Sequence, residues 1–196
     1  MSNADEKIAE VVGPVGPSAD GAPVEVVRTY LSMASLSQVR PGRAPQVPVA
    51  LVPIAPCTVS EWRRLYSEIG GAWHWHDRDA WTDDQLASHL ANSSISVYRV
   101  EAECDGETVP RAGFLELEIA SDGAAEIVYL GLHSRVFGLG LGAWLVESAV
   151  NRAFALGASR VWLHTCTLDS PAALPNYLAR GFDVDRTETY YTRLTG

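Results

Sequence analysis

The hydrophobic positions of this chain change period several times, and each change marks an element. Val24-Glu-Val-Val-Arg-Thr-Tyr-Leu-Ser-Met33 alternates and is rich in β-branched residues, which predicts a strand. Val47-Pro-Val-Ala-Leu-Val-Pro53 predicts a second strand, at a sheet edge because its prolines have no N–H to give to a ladder. Between them Arg40-Pro-Gly-Arg43 reads as a turn. Val59, Trp62, Leu65, Tyr66 and Ile69 recur at helical spacing and run into Gly70-Gly71, a C-cap signal. Thr82-Asp-Asp-Gln85 is a capping box that opens a short second helix toward Leu90. Ile95 to Val100 and Arg111 to Ile119 alternate again and are joined across Asp105-Gly106, and Ser121-Asp-Gly123 leads into the strand Ala124 to Leu132. These three strands predict a β-meander. A helix follows from about Leu141 to Leu156 and stops at Gly157, Arg160 to Cys166 is a strand, Pro171 to Arg180 a helix stopping at Gly181, and Phe182 to Leu194 a terminal strand. Residues 1 to about 22 are rich in Gly, Pro, Ala and acids without any period, which predicts a flexible arm ahead of a single domain from 23 to 196.

Composition narrows the class. With 196 residues, 47% hydrophobic and 20% charged, the chain has enough apolar material for one α/β core. A net charge of −9 argues against a nucleic-acid or anionic-membrane partner, either of which needs a basic face, and leaves room for an amine-bearing one. Cys57, Cys104 and Cys166 are odd in number and widely spaced, so neither a disulfide framework nor a zinc ribbon is indicated, and a reducing compartment fits. The start lacks a basic region leading into an apolar run, and no segment has the roughly 18 uninterrupted apolar residues of a membrane span; a cytoplasmic location is expected. His74 and His76, at spacing two, have no identifiable partners for a metal.

The richest chemistry lies between Glu126 and Val146. Here the strand ending at Leu132 runs into Gly138-Leu-Gly140-Leu-Gly142 and then a helix, the order of a phosphate cradle: glycines let the backbone approach an anion, and the helix they open presents unpaired N–H groups and a positive dipole end. Glycines at this spacing also occur in nicotinamide dinucleotide sites, but a full GxGxxG in a leading βαβ unit and an acidic ribose partner are missing.

The same glycine turn, together with Asp169-Ser-Pro-Ala-Ala-Leu-Pro-Asn-Tyr177-Leu-Ala-Arg-Gly181-Phe182 and the order of helices and strands around them, resembles the Gcn5-related N-acetyltransferase (GNAT) superfamily. From about residue 24 the chain looks like a bacterial subgroup known mostly as uncharacterised acetyltransferases. The resemblance implies a mixed central sheet, splayed between the strand before the glycine turn and the next strand and flanked by four helices. It implies acetyl-CoA as co-substrate, a small-molecule amine as acceptor, and a monomer or homodimer, with the strands of residues 24 to 53 and the terminal strand available to pair with a second subunit.

By the same resemblance the coenzyme lies against Leu130, Leu132, Phe137, Gly138, Leu139, Gly140, Leu141, Gly142 and Ala143, with Leu132 N–H the expected donor to the thioester carbonyl. Phe137 replaces the family's signature Gln or Arg and Leu139 a frequent Arg, so Arg135 is the nearest cation to compensate. Ser170 stands where Asn is usual, an N-cap before Pro171, while Pro175 should kink or delay the helix. Tyr177 falls on the family's tyrosine, the donor to the departing thiolate; outside that context a helix tyrosine is ordinarily core. Glu126 is the candidate base, its alternative being an exposed strand residue, and a period of two places it with Val128 and Leu130 on one face and Ile127, Tyr129 and Gly131 on the other.

Trp62, Trp73, Trp75 and Trp81 put four of the six tryptophans within twenty residues, among Tyr66, His74, His76, Asp77 and Arg78. This segment either walls the acceptor pocket, with Trp73, His74, Trp75 and Tyr66 as contacts and His164 beside them, or is a hydrophobic cluster pinning a long loop. Cys166 reads as a pocket wall. A catalytically silent CoA-binding module is the remaining alternative.

Overall fold

A tight turn organises the first half of the sheet. Asp105 and Gly106 both take positive φ, 53° and 79°, the two-residue turn whose twist matches that of the strands it joins. Around it β3 (Ile95–Cys104) and β4 (Glu107–Ile119) pair as a long hairpin, each strand reaching the turn itself, and Gly123 turns the chain into β5 (Ala124–Leu132). This is the meander read from the sequence. The computed structural model describes residues 22–194, so the predicted arm lies almost wholly outside the described residues.

The other elements are β1 (Val24–Met33), β2 (Val49–Pro53), α1 (Val59–Gly70), α2 (Asp83–Leu90), α3 (Leu141–Ala155), β6 (Arg160–Cys166), α4 (Ala173–Ala179) and β7 (Asp183–Thr192). All seven strands form one mixed sheet in the order β2-β3-β4-β5-β6-β1-β7, with β2 at an edge as its prolines require. The N-terminal strand is inserted between β6 and β7 and pairs antiparallel with both. Strands β1 and β2 therefore stand far apart in the sheet, and no tight turn joins them: residues 40–43 belong to an irregular strap that crosses the end of the molecule.

Helices cover both faces. Leu145, Val146, Ala149 and Ala153 of α3 pack on Leu115, Leu117, Ile127 and Leu163 of the sheet to form the larger core. On the opposite face Trp62, Leu65 and Ile69 of α1 and Leu86 of α2 pack on Val97, Phe114 and Tyr129. The capping box forms as read, Thr82 Oγ1 accepting from Gln85 N and Gln85 Oε1 from Thr82 N.

Helix α1 ends on Gly70 with Gly71 as its C-cap, as read, although Gly71 keeps right-handed geometry and runs on into a 3₁₀ turn closed by His74 at φ 57°. Gly70 is needed for a further reason, since a Cβ there would lie 2.1 Å from the Trp75 ring. Two local expectations are corrected. Strand β5 does not alternate uniformly. Its pairing with β4 passes from Tyr129↔Glu116 to Ile127↔Leu117, leaving Val128 as an extra residue, a bulge that reverses the facing of everything beyond it. Glu126, Tyr129 and Gly131 thus share the α1 face, while Ile127, Leu130 and Leu132 turn to the α3 face. Finally, α4 starts at Ala173 rather than Pro171. Ser170 closes the preceding turn, its Oγ accepting from Ala172 N at 3.3 Å, and Pro175 sits in the first helical turn, where a missing N–H costs nothing.

Candidate active site

Strands β5 and β6 pair through only Ala124↔Arg160, Ala125↔Val161 and Glu126↔Trp162 before they part. A cavity of about 1090 Å³ fills the opening, walled by β5 from Glu126 to Leu132, the N-terminus of α3, α4, the end of β6 and the loop at 73–78. Beyond Glu126 the open side of β5 has no strand partner. His133 N donates to Ala112 O on β4 at 2.9 Å, so the N–H one residue earlier, on Leu132, points the opposite way, toward the opening.

At one end of the cavity lies the glycine turn. Gly138 and Gly140 hold φ of 80° and 76°, values that strain any side-chain-bearing residue, and Gly140 is the N-cap of α3 with no side chain to satisfy the helix N–H groups. No acidic residue stands in the first turn of α3, so its positive end is uncompensated where Gly140, Leu141, Gly142 and Ala143 meet the cavity. Asn176 of α4 fixes the geometry by donating to Gly142 O at 3.0 Å.

Tyr177 enters from α4 one turn below. Its ring is buried against Phe182, and its hydroxyl finds no hydrogen-bond partner among the described residues although it borders the cavity. Burial, reinforced by Asp169, pushes the phenol above its ordinary range and keeps it protonated. Cys166, also on the wall, has its thiol pushed up by burial and Asp169, which disfavours a nucleophilic thiolate.

At the other end Glu126 faces Glu118 across the β4–β5 pair, and both border the cavity. Burial, with the Glu118 charge added, raises the Glu126 carboxyl to about 7, against the opposing pull of Arg78. The aromatic loop is fastened over this end by two acids, one exposed and one buried. Asp77 accepts from Tyr66 Oη at 3.1 Å and from Tyr129 Oη; Glu116, fully buried on β4, accepts from Trp62 Nε1 and from His89 Nε2 at 2.9 Å, with Arg78 Nη2 3.6 Å away. Arg78 also lies 4.3 Å from the Trp81 ring and 5.4 Å from that of Tyr129. Across the cavity, the packing around His164 and the Arg28 guanidinium hold that imidazole below its usual range.

The structure thus gathers around one cavity Glu126, Tyr177, Leu130, Leu132, Phe137, Gly138, Gly140, Leu141, Gly142, Ala143 and Ser170, and with them Trp73, His74, Trp75 and His164. Three expected residues stand elsewhere. Arg135 rides a 3₁₀ turn toward the β3–β4 hairpin, 3.6 Å from Glu107. The Leu139 side chain packs on the main core and its carbonyl accepts from Gln46 N at 3.1 Å. Tyr66 is buried beneath the loop, stacked 4.7 Å from Trp62; Trp62, Tyr66 and Trp81 pin the aromatic segment, while Trp73 and Trp75 border the cavity. Sequence reading missed Arg43 and Glu118 on the wall and Glu116 behind it. Glu116 and Glu118 had a signal, two acids in the apolar run Phe114-Leu-Glu-Leu-Glu-Ile119.

The model of the acetyltransferase (GNAT) family matches residues 59–182, which include α1, the aromatic loop, the parted strands, the cradle and Tyr177. The chain belongs to this family. Solved structures agree on the GNAT fold. A GCN5-related N-acetyltransferase from Sphaerobacter thermophilus aligns with a TM-score of 0.58 at 15% identity over 88% of this chain and 53% of its own. One from Kribbella flavida aligns with a TM-score of 0.55 at 20% identity over 87% and 59%. This GNAT chain therefore spans less than two thirds of either relative. An aminoglycoside acetyltransferase from an uncultured soil metagenomic sample aligns with a TM-score of 0.52 at 14% identity over 67% of this chain and 86% of its own. No curated protein matched the GNAT chain by sequence. Among its described residues no helix is long and apolar enough to cross a membrane.

Proposed function

We propose that the protein is an acyl-CoA-dependent N-acyltransferase that moves an acetyl group from acetyl-CoA to a primary amine of a small molecule by direct attack. The observation that carries this reading is one cavity in which an uncapped α3 N-terminus, an outward Leu132 N–H, a Tyr177 hydroxyl with no partner among the described residues and the perturbed Glu126 carboxyl converge. The residues fit the coenzyme: backbone N–H groups of α3 receive phosphate oxygens, and the apolar wall of Leu130 and Leu132 suits a pantetheine arm along the open edge of β5.

Glu126, as carboxylate, takes a proton from the acceptor ammonium and frees the nitrogen lone pair. As the amine nitrogen bonds to the thioester carbon, Leu132 N–H stabilises the charge that grows on the carbonyl oxygen. When the carbon–sulfur bond breaks, the nitrogen gives up its second proton to solvent, leaving a neutral amide, and the sulfur departs as a thiolate that accepts a hydrogen bond from Tyr177. Its burial makes the donor always available while disfavouring a free phenolate, so hydrogen bonding to the thiolate is its principal contribution. Trp73, Trp75 and Asp77 bound the acceptor end with flat aromatic faces and a carboxylate, surroundings suited to an amine. A cytoplasmic location suits this chemistry.

Calorimetric titration with acetyl-CoA, followed by a thiol-release screen over small amines, tests the proposal. Saturable binding and CoA release that depends on one class of amine are expected. Absence of acetyl-CoA binding refutes it, and binding without transfer to any amine supports a silent CoA-binding module instead.

A further inference from the structure

The cradle has the backbone for a phosphate but none of the expected cations: Phe137 and Leu139 are apolar, and Arg135 points away to Glu107. A polyanion approaching a chain of net charge −9 meets an unfavourable field, so backbone dipoles alone face a long-range penalty. We propose that Arg43, on the strap between β1 and β2, supplies the missing charge and holds the phosphates of the coenzyme's nucleotide half; this rests on the acyl-CoA reading above.

The strap is built to put Arg43 there. Arg40 N donates to Arg180 O at 3.0 Å, Gly42 N to Glu147 Oε1 on α3 at 2.5 Å, and Gln46 N to Leu139 O at 3.1 Å, so hydrogen bonds hold the strap on both sides of residue 43. Gly42 lies so close to α3 and α4 that a Cβ would stand 2.5 Å from that of Ala143 and 2.1 Å from Arg180 Nη1. Arg43 itself is exposed, borders the cavity shared by Gly140, Gly142 and Ala143, and makes no ion pair among the described residues. Arg28 and Arg78, also on the cavity wall, are engaged with acids, Arg28 with Glu188 at 3.3 Å and Arg78 with Glu116 at 3.6 Å. The strap precedes residue 59, where the family match begins, so this cation comes from outside the matched segment.

The test is calorimetric binding of CoA, 3′-dephospho-CoA and pantetheine to the wild type, Arg43→Gln and Arg43→Lys. Loss of one charge-assisted contact predicts CoA binding weaker by roughly tenfold in Arg43→Gln, partly restored in Arg43→Lys, with the gap closing as salt rises. Pantetheine, which lacks the nucleotide phosphates, should bind both variants as it binds the wild type. If the difference disappears with 3′-dephospho-CoA the contact is to the 3′-phosphate; if it persists, to the diphosphate. Equal CoA affinity of wild type and Arg43→Gln, or an equal loss of pantetheine, overturns the role of Arg43. Failure of the wild type to bind CoA at all overturns the acyl-CoA reading itself.

Discussion

Glu126 on β5 stands in register with Glu118 on β4, and both carboxylates border the cavity. Burial and that like charge place the Glu126 titration at about 7. The rate constant kcat/KM should therefore rise through neutral pH as Glu126 loses its proton. Glu126→Gln should remove this limb and lower kcat/KM by about 10² to 10⁴. Glu118→Gln removes the repulsion and should move the limb to lower pH. The sign for stability is opposite. Because the folded pKa is raised, protonated Glu126 is tolerated at low pH, and stability is lost as pH rises from the carboxyl's ordinary 4.5 through about 7. Glu126→Gln should melt higher than wild type at pH 8 and close to it at pH 4, and pH-dependent melting curves check this.

Tyr177→Phe removes only an oxygen that has no partner among the described residues. It should lower turnover by about 10²-fold while leaving CoA affinity within about twofold, because the hydroxyl acts on the sulfur as it leaves. Turnover equal to wild type would reject the donor role.

Glu116 is the buried acid on which three donors of the acceptor end converge. Glu116→Ala leaves Arg78, His89 and Trp62 Nε1 unpaired out of water, and should cost about 3–5 kcal/mol in urea unfolding. Glu116→Gln should cost less, since it still accepts from Trp62. A loss below about 1 kcal/mol in Glu116→Ala would show that the loop is held by its aromatic contacts alone.

The elements were legible where local physics fixes them. The alternation of Val24 to Met33, the Asp105-Gly106 turn and the Thr82-Gln85 capping box each act within a few residues, and each forms as read. What escaped depends on partners distant in sequence. The bulge at Val128 shows only in the pairing with β4, so a strict period of two misassigned Tyr129 and Leu130. Arg135 and Arg43 are both turn-like arginines in sequence; only the sheet order, which sends the strap across α3, decides which one borders the cavity. The end of α1 at Gly70-Gly71 was legible, but spacing cannot reveal the tryptophan folded back onto Gly70.

The insertion of β1 between β6 and β7 sets a schedule for the newborn chain. Val24 pairs with Thr192 and Met33 with Val161, so β1 has no sheet partner until β6 and β7 have been made. The β3–β5 meander can form early, whereas closing the largest loops of the molecule comes last and carries the greatest chain entropy. Until then the β6 edge and both faces of β1 are exposed, and that interval is when the chain is most open to association with other copies.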